Sequence, residues 1–147
     1  MPILPFLSFS VALATTPGAI TTPFPTTNHL AIEWQIEGDD DLDATCAVKV
    51  RKEGETAWRD AESLRRVPAG KSQKTSPIFT WTNRLSGSVF DLEAATSYEI
   101  ELKLHDPDGG SATKIVKSST RSEPVVKADA VLKIGSKVDL NTVKPGE

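Results

Sequence analysis

Polar and apolar residues alternate strictly in three stretches of the chain. Over residues 29–37, Leu30, Ile32, Trp34 and Ile36 fall on one side, with Ala31, Glu33 and Gln35 on the other. Over 45–52, Cys46, Val48 and Val50 face opposite to Lys49 and Arg51, and over 97–105 Tyr98, Ile100, Leu102 and Leu104 form one face. A period of two predicts half-buried β-strands. Four further strands are expected from weaker patterns. Residues 15–28 are rich in Thr and Pro, and Pro17, Pro23 and Pro25 enforce extended backbone at a sheet edge. Residues 78–82 and 88–92 read as strands joined through Arg84-Leu85-Ser86-Gly87. Residues 111–120 form the last strand, whose inward face is ambiguous because Ile115 and Val116 are adjacent. Asp106-Pro107-Asp108-Gly109-Gly110 before it is a hairpin-turn sequence. The pattern is least legible over 60–76: a further short strand begins at Trp58, residues 61–66 suit one helical turn, and 68–73 read as a loop.

A corner organises these strands. Leu92-Glu93-Ala94-Ala95-Thr96-Ser97-Tyr98 places a strand end and a sharp turn before a Tyr that opens the next strand. This is the layout of a tyrosine corner, in which the phenol hydroxyl bonds back to upstream backbone and pins the crossing between two sheets. Seven strands over roughly 105 residues then predict an all-β fold, a seven-stranded antiparallel immunoglobulin-like β-sandwich. Trp34, Leu92, Tyr98 and Ile100 are its expected structural residues.

Taken together, these landmarks resemble a fibronectin type III domain over roughly residues 17–121. The inward Trp34 lies on the second strand, Val48-Lys49-Val50-Arg51 precedes a Gly turn and Trp58, and Leu92, Thr96 and Tyr98 keep the spacing Leu-x-x-x-Thr-x-Tyr. An antibody-type domain would put the Trp on the third strand and a Cys where Ile100 stands. Two departures are Ala94-Ala95, where the family usually has Pro-Gly, and the long polar region between the third and fifth strands. Thr27-Asn28-His29-Leu30-Ala31-Ile32-Glu33-Trp34 and the Asp106–Gly110 hairpin also resemble modules placed ahead of right-handed parallel β-helix domains in large exported bacterial proteins. That resemblance implies that this chain is a fragment of a larger one, with residues 123–147 a linker into a downstream domain.

Composition narrows the function. Ten Pro and nine Gly in 147 residues suit short strands and turns rather than long helices. A formal net charge of -3 gives no general attraction for nucleic acid. The single cysteine, Cys46, excludes an intrachain disulfide, and its place in an alternating strand marks a buried hydrophobe rather than a nucleophile. Residues 3–14 form an apolar run of leader length ending in Ala12-Leu13-Ala14, too short to span a bilayer and without a Lys or Arg before it. The expected organisation is therefore a signal peptide at 1–14, a fibronectin type III-like domain at 15–122, and export to the periplasm, cell surface or medium.

Candidate chemistry is thin. Asp39, Asp40, Asp41 and Asp43 offer hard oxygen ligands, but EF-hand spacing is missing and a solvated loop accounts for them. Asp106 and Asp108 are explained by the hairpin. His29 and His105 have no metal-ligand spacing around them, and no nucleophile accompanies His105 and Asp106. No catalytic residue, metal or cofactor is expected. Trp58 and Trp81 lie among short strands and loops, where an indole can stack on a sugar ring. The function expected is a non-catalytic spacer or protein-interaction module joined to a neighbouring domain. The alternative is a carbohydrate-binding accessory of a polysaccharide-degrading β-helix enzyme, using those two Trp.

Overall fold

The computed structural model describes residues 13–74 and 76–125. Seven strands carry the fold: β1 (Thr16–Thr21), β2 (Leu30–Glu37), β3 (Thr45–Lys52), β4 (Arg59–Val67), β7 (Arg84–Val89), β8 (Ser97–His105) and β9 (Ala112–Ser119). Their order is β1-β2-β7-β4-β3-β8-β9, and every pairing is antiparallel. Two very short strands, β5 (Gly70–Lys71) and β6 (Thr80–Trp81), pair only with each other.

Two layers pack face to face, as alternating strands must when one face of each is apolar. Leu30, Ile32, Trp34, Ile36, Leu85 and Val89 come from β2 and β7, and Cys46, Val48, Val50, Tyr98, Ile100, Leu102 and Leu104 from β3 and β8; all are buried in one core. The strand β4 joins the layers. Its first part pairs with β3, from Arg59↔Val50 to Leu64↔Cys46, and its last three residues pair with β7, from Arg65↔Ser86 to Val67↔Arg84. This is the immunoglobulin-like sandwich of the fibronectin type III kind.

The strand at 59–67 replaces the helical turn expected over 61–66. The cause lies in its register. Cys46 pairs with Leu64 and Val48 with Ala61, so three residues of β4 span two of β3. That bulge places the inward apolar residues Ala61 and Leu64 three apart, the spacing of a helix face rather than a strand. The fifth main strand is likewise Arg84–Val89 rather than 88–92. Its inward face is Leu85, Gly87 and Val89. A Cβ on Gly87 would lie 3.0 Å from Leu64 Cδ2, so the side chain of Leu64 occupies the space left by the glycine. A hydrophobic pattern cannot show a strand whose central inward residue has no side chain. Of residues 78–82 only Thr80–Trp81 is strand, and Ile78 and Phe79 are exposed. The final strand turns Val116 toward the core and leaves Ile115 exposed.

Both ends of the domain are set by β8. Thr15 lies beside Asp106, just past its last residue, and Ser119 pairs with Ser97, its first. The chain thus enters at one end of the sandwich and leaves at the other, roughly 27 Å away by strand rise.

Candidate functional site

At the exit end, Tyr98 is buried and its phenol oxygen accepts a hydrogen bond from the Glu93 amide at 2.8 Å. A second residue closes the same corner. The Thr120 hydroxyl donates to the Glu93 carbonyl at 2.6 Å and accepts from the Thr96 amide at 3.0 Å. Thr120 had no signal in the sequence, because a Thr after an edge strand is ordinarily a solvated position. Leu92 is buried beneath the turn, and its amide donates to the Asn28 carbonyl. Replacing Tyr98 with Phe is expected to lower stability by about 1 kcal/mol, by leaving the Glu93 amide without its partner. Equilibrium denaturation measures this, and an unchanged midpoint would show that the Thr120 bonds hold the corner alone.

The two candidate tryptophans line separate hollows and share no lining residue. Trp58 is half-buried. The Arg51 guanidinium carbon sits 4.3 Å from its ring centroid, while Arg51 Nε donates to Glu99 at 2.7 Å. One face of that indole is therefore covered by a cation held in place by a carboxylate. The Glu99 carboxyl is held below its ordinary range, first by the Arg51 hydrogen bond. Trp81 is 37 % exposed on the wall of an open groove of about 790 Å³. Its indole N–H donates to the Pro68 carbonyl at 2.9 Å, and its ring lies against Gly70. Gln35, Glu37, Leu42, Arg66 and Asn83 are among the other residues that line the groove.

Arg66, on one wall, is paired with Asp39, which is therefore buried rather than part of the solvated loop expected over Asp39–Asp43. Asp39 is fully buried at its side chain and its backbone is left-handed at φ 57°. Oδ2 accepts from Arg66 Nε, and Oδ1 accepts from the Ala44 amide at 2.9 Å. Arg66 Nη2 also donates to the Asp39 carbonyl at 3.3 Å. The neighbouring Asp40, Asp41 and Asp43 are exposed.

At the same end two acidic segments meet. Carboxylate oxygens of Asp43, Asp106 and Asp108 lie within 4.8 Å of one another, as do those of Asp39, Asp41 and Asp43. Asp106 is buried: Oδ2 accepts from the Thr15 amide and Oδ1 from the Asp108 amide, each at 2.7 Å. Its carboxyl is held below the ordinary range, first by hydrogen bonding from Thr15. Asp43 and Asp108 are pushed up, first by partial loss of hydration and then by the charge of neighbouring aspartates, Asp41 foremost. As pH falls toward about 4, Asp43 and Asp108 take up protons first, which relieves repulsion present in the folded state. Below that, Asp106 and Glu99 must be protonated in the folded state, and the stability from their depressed pKa values is lost. The thermal midpoint is therefore expected to peak on the acid side of neutrality. A midpoint falling steadily from pH 7 downward would contradict the raised pair.

No described group is set up as a nucleophile. Cys46 is buried and its thiol pushed up to about 12 by burial, so it carries no thiolate at neutral pH. His29 shares hydrogen bonds through Nδ1 with Thr26 and Asn28, and His105 with Ser111. Neither is bonded to a nucleophile-and-carboxylate set among the described residues. Among the described residues no helix is long and apolar enough to cross a membrane.

Comparison with solved structures finds fibronectin type III domains. One is from human fibronectin type III domain containing protein 3, 11 % identical, covering 81 % of this chain and 94 % of that one, with TM-score 0.46. Another is the fourth such domain of a human protein, at 10 %, 87 %, 95 % and 0.47. A third derives from the human KIAA0970 protein, at 9 %, 86 %, 88 % and 0.47. No family model and no curated protein matches the sequence. The assignment of fold rests on the strand order and the corner geometry described above.

Proposed function

We propose that this domain is a spacer or protein-interaction module of a longer exported bacterial protein, holding a neighbouring domain at a set distance. The observation that carries the reading is the placement of the two ends at opposite poles of β8. A domain threaded in this way adds its full length to an array, whereas one with adjacent ends hangs from it as a side branch. The leader-like run of residues 3–14 supports export, and the resemblance to modules ahead of β-helices supports a bacterial, multidomain setting.

A second reading, the carbohydrate-binding accessory, is favoured by one feature: Trp81 offers an indole fixed at its N–H beside the amides of Gln35 and Asn83. Trp58, with Arg51 on one face, adds nothing to that groove. Thermal unfolding against a panel of polysaccharides separates the two. A single reversible transition whose midpoint no polysaccharide moves fits the spacer. A midpoint raised by one polysaccharide, with the rise abolished by Trp81→Ala, would replace it with the second reading.

A further inference from the structure

The first described residues hold an arrangement that the spacer role does not use. Leu13 is 59 % exposed and Ala14 is exposed, yet the next residue, Thr15, is buried with its backbone nitrogen 2.7 Å from the buried Asp106 carboxylate. Ala12-Leu13-Ala14 has the small-x-small form that leader peptidases cut after. Around Asp106, the oxygens of Asp43 and Asp108 converge, and no described Lys or Arg forms an ion pair with any of the three.

We infer that the Ala14–Thr15 peptide bond is a processing site and that the freed α-ammonium of Thr15 becomes the cation of this carboxylate cluster, clamped on Asp106. The inference rests on the export reading above. A leader peptidase supplies the catalyst and water the second reactant. The C–N bond between Ala14 and Thr15 breaks, Ala14 leaves with a carboxylate, and the new amine on Thr15 takes a proton from solvent. A neutral amide already sits at the position where that charge arises, so little rearrangement is needed. Replacing it by an ammonium turns a hydrogen bond with a neutral donor and an ionised acceptor into a full ion pair in a buried setting. Among the described residues the cut removes two exposed side chains, Leu13 and Ala14, and one bond, from the Asp39 amide to the Leu13 carbonyl at 2.9 Å.

The groups that face Asp106 are Asp108 and His105 from its own turn and strand, and Asp43 from the loop after β2; Asp41 stands next to Asp43 and Asp108, and Asp39 is already paired with Arg66. Four carboxylates against one histidine make the site strongly favourable to a cation. The α-amine is expected to titrate about one to two pH units above an ordinary amino terminus. A folded pKa raised in this way stabilises the protein below the unfolded value, and the stability is lost as pH rises through the folded one.

The test begins with the full chain in a secreting bacterial host, its product read by intact mass and amino-terminal sequencing. An exported chain beginning at Thr15 is expected. An exported chain beginning elsewhere overturns this inference alone, and a chain retained in the cell with residues 1–14 attached sinks the export reading as well. The clamp is then measured by unfolding midpoints between pH 7 and 10. The chain beginning at Thr15 is expected to lose stability in that range, while a chain beginning at Ala14, and the Thr15 chain carrying Asp106→Asn, show no such step. The same step in both start points, or in neither, overturns the ion pair even if Asp106→Asn fails to fold. Calcium chloride raising the midpoint of the Thr15 chain, with no alkaline step, would give the carboxylates to a metal instead and overturn it too.

Discussion

Replacing Trp34 with Ala is expected to destabilise the domain by about 3–5 kcal/mol. Trp34 is fully buried and the largest side chain in the core. It pairs with Leu85 on one side and with Ile20 on the other, so its removal opens a cavity beneath three strands at once. A domain of this size has about 5–15 kcal/mol in all, so a large share of its margin would go. Chemical denaturation provides the number. A loss under about 1 kcal/mol would mean that the sheets close over the gap, and the core would have to be far more deformable than its packing implies. The indole N–H has no hydrogen-bond partner in this core. Trp34→Phe should accordingly cost clearly less than Trp34→Ala, because it keeps most of the ring and removes an unpaired donor.

Asp39→Ala should have an effect of similar size, about 3–5 kcal/mol, for a different reason. The substitution leaves the Arg66 guanidinium, only 11 % exposed at its side chain, without its carboxylate. It also orphans the Ala44 amide and puts a β-carbon without a polar head at φ 57°. Asp39→Asn keeps an acceptor for Ala44 and suits left-handed backbone, so it isolates the charge. Should both variants unfold at the wild-type denaturant concentration, the pair would be exchanging freely with water and the end of the sandwich would be held by other bonds.

The legible parts of this fold are those where each strand keeps one pairing partner set and one face throughout. β2, β3 and β8 do so, and their inward residues are buried without exception. The corner was legible because Leu92, Thr96 and Tyr98 lie within seven residues of sequence. The illegible parts are those where a strand does two things. β4 changes layer and carries a bulge, which converts a period of two into three, and β7 hides its centre in Gly87. The acidic corner is divided between two distant stretches of sequence. Asp39–Asp43 and Asp106–Asp108 are far apart in the chain, and local pattern holds no record of which loops share an end of a sandwich. The Asp39 pair was invisible for the same reason, since its partner Arg66 lies in the segment whose strand could not be recognised.

The opposite placement of the two ends has a mechanical consequence. A pull applied through Thr15 draws β1 along β2, and one applied past Ser119 draws β9 along β8 in the other direction. In both ladders the inter-strand hydrogen bonds run across the pull, so they are loaded in shear and must give way together rather than unzip singly. Resistance to stretching would then be set by the rate at which a whole ladder ruptures. A domain built in this way can carry tension from one of its ends to the other while both ladders hold.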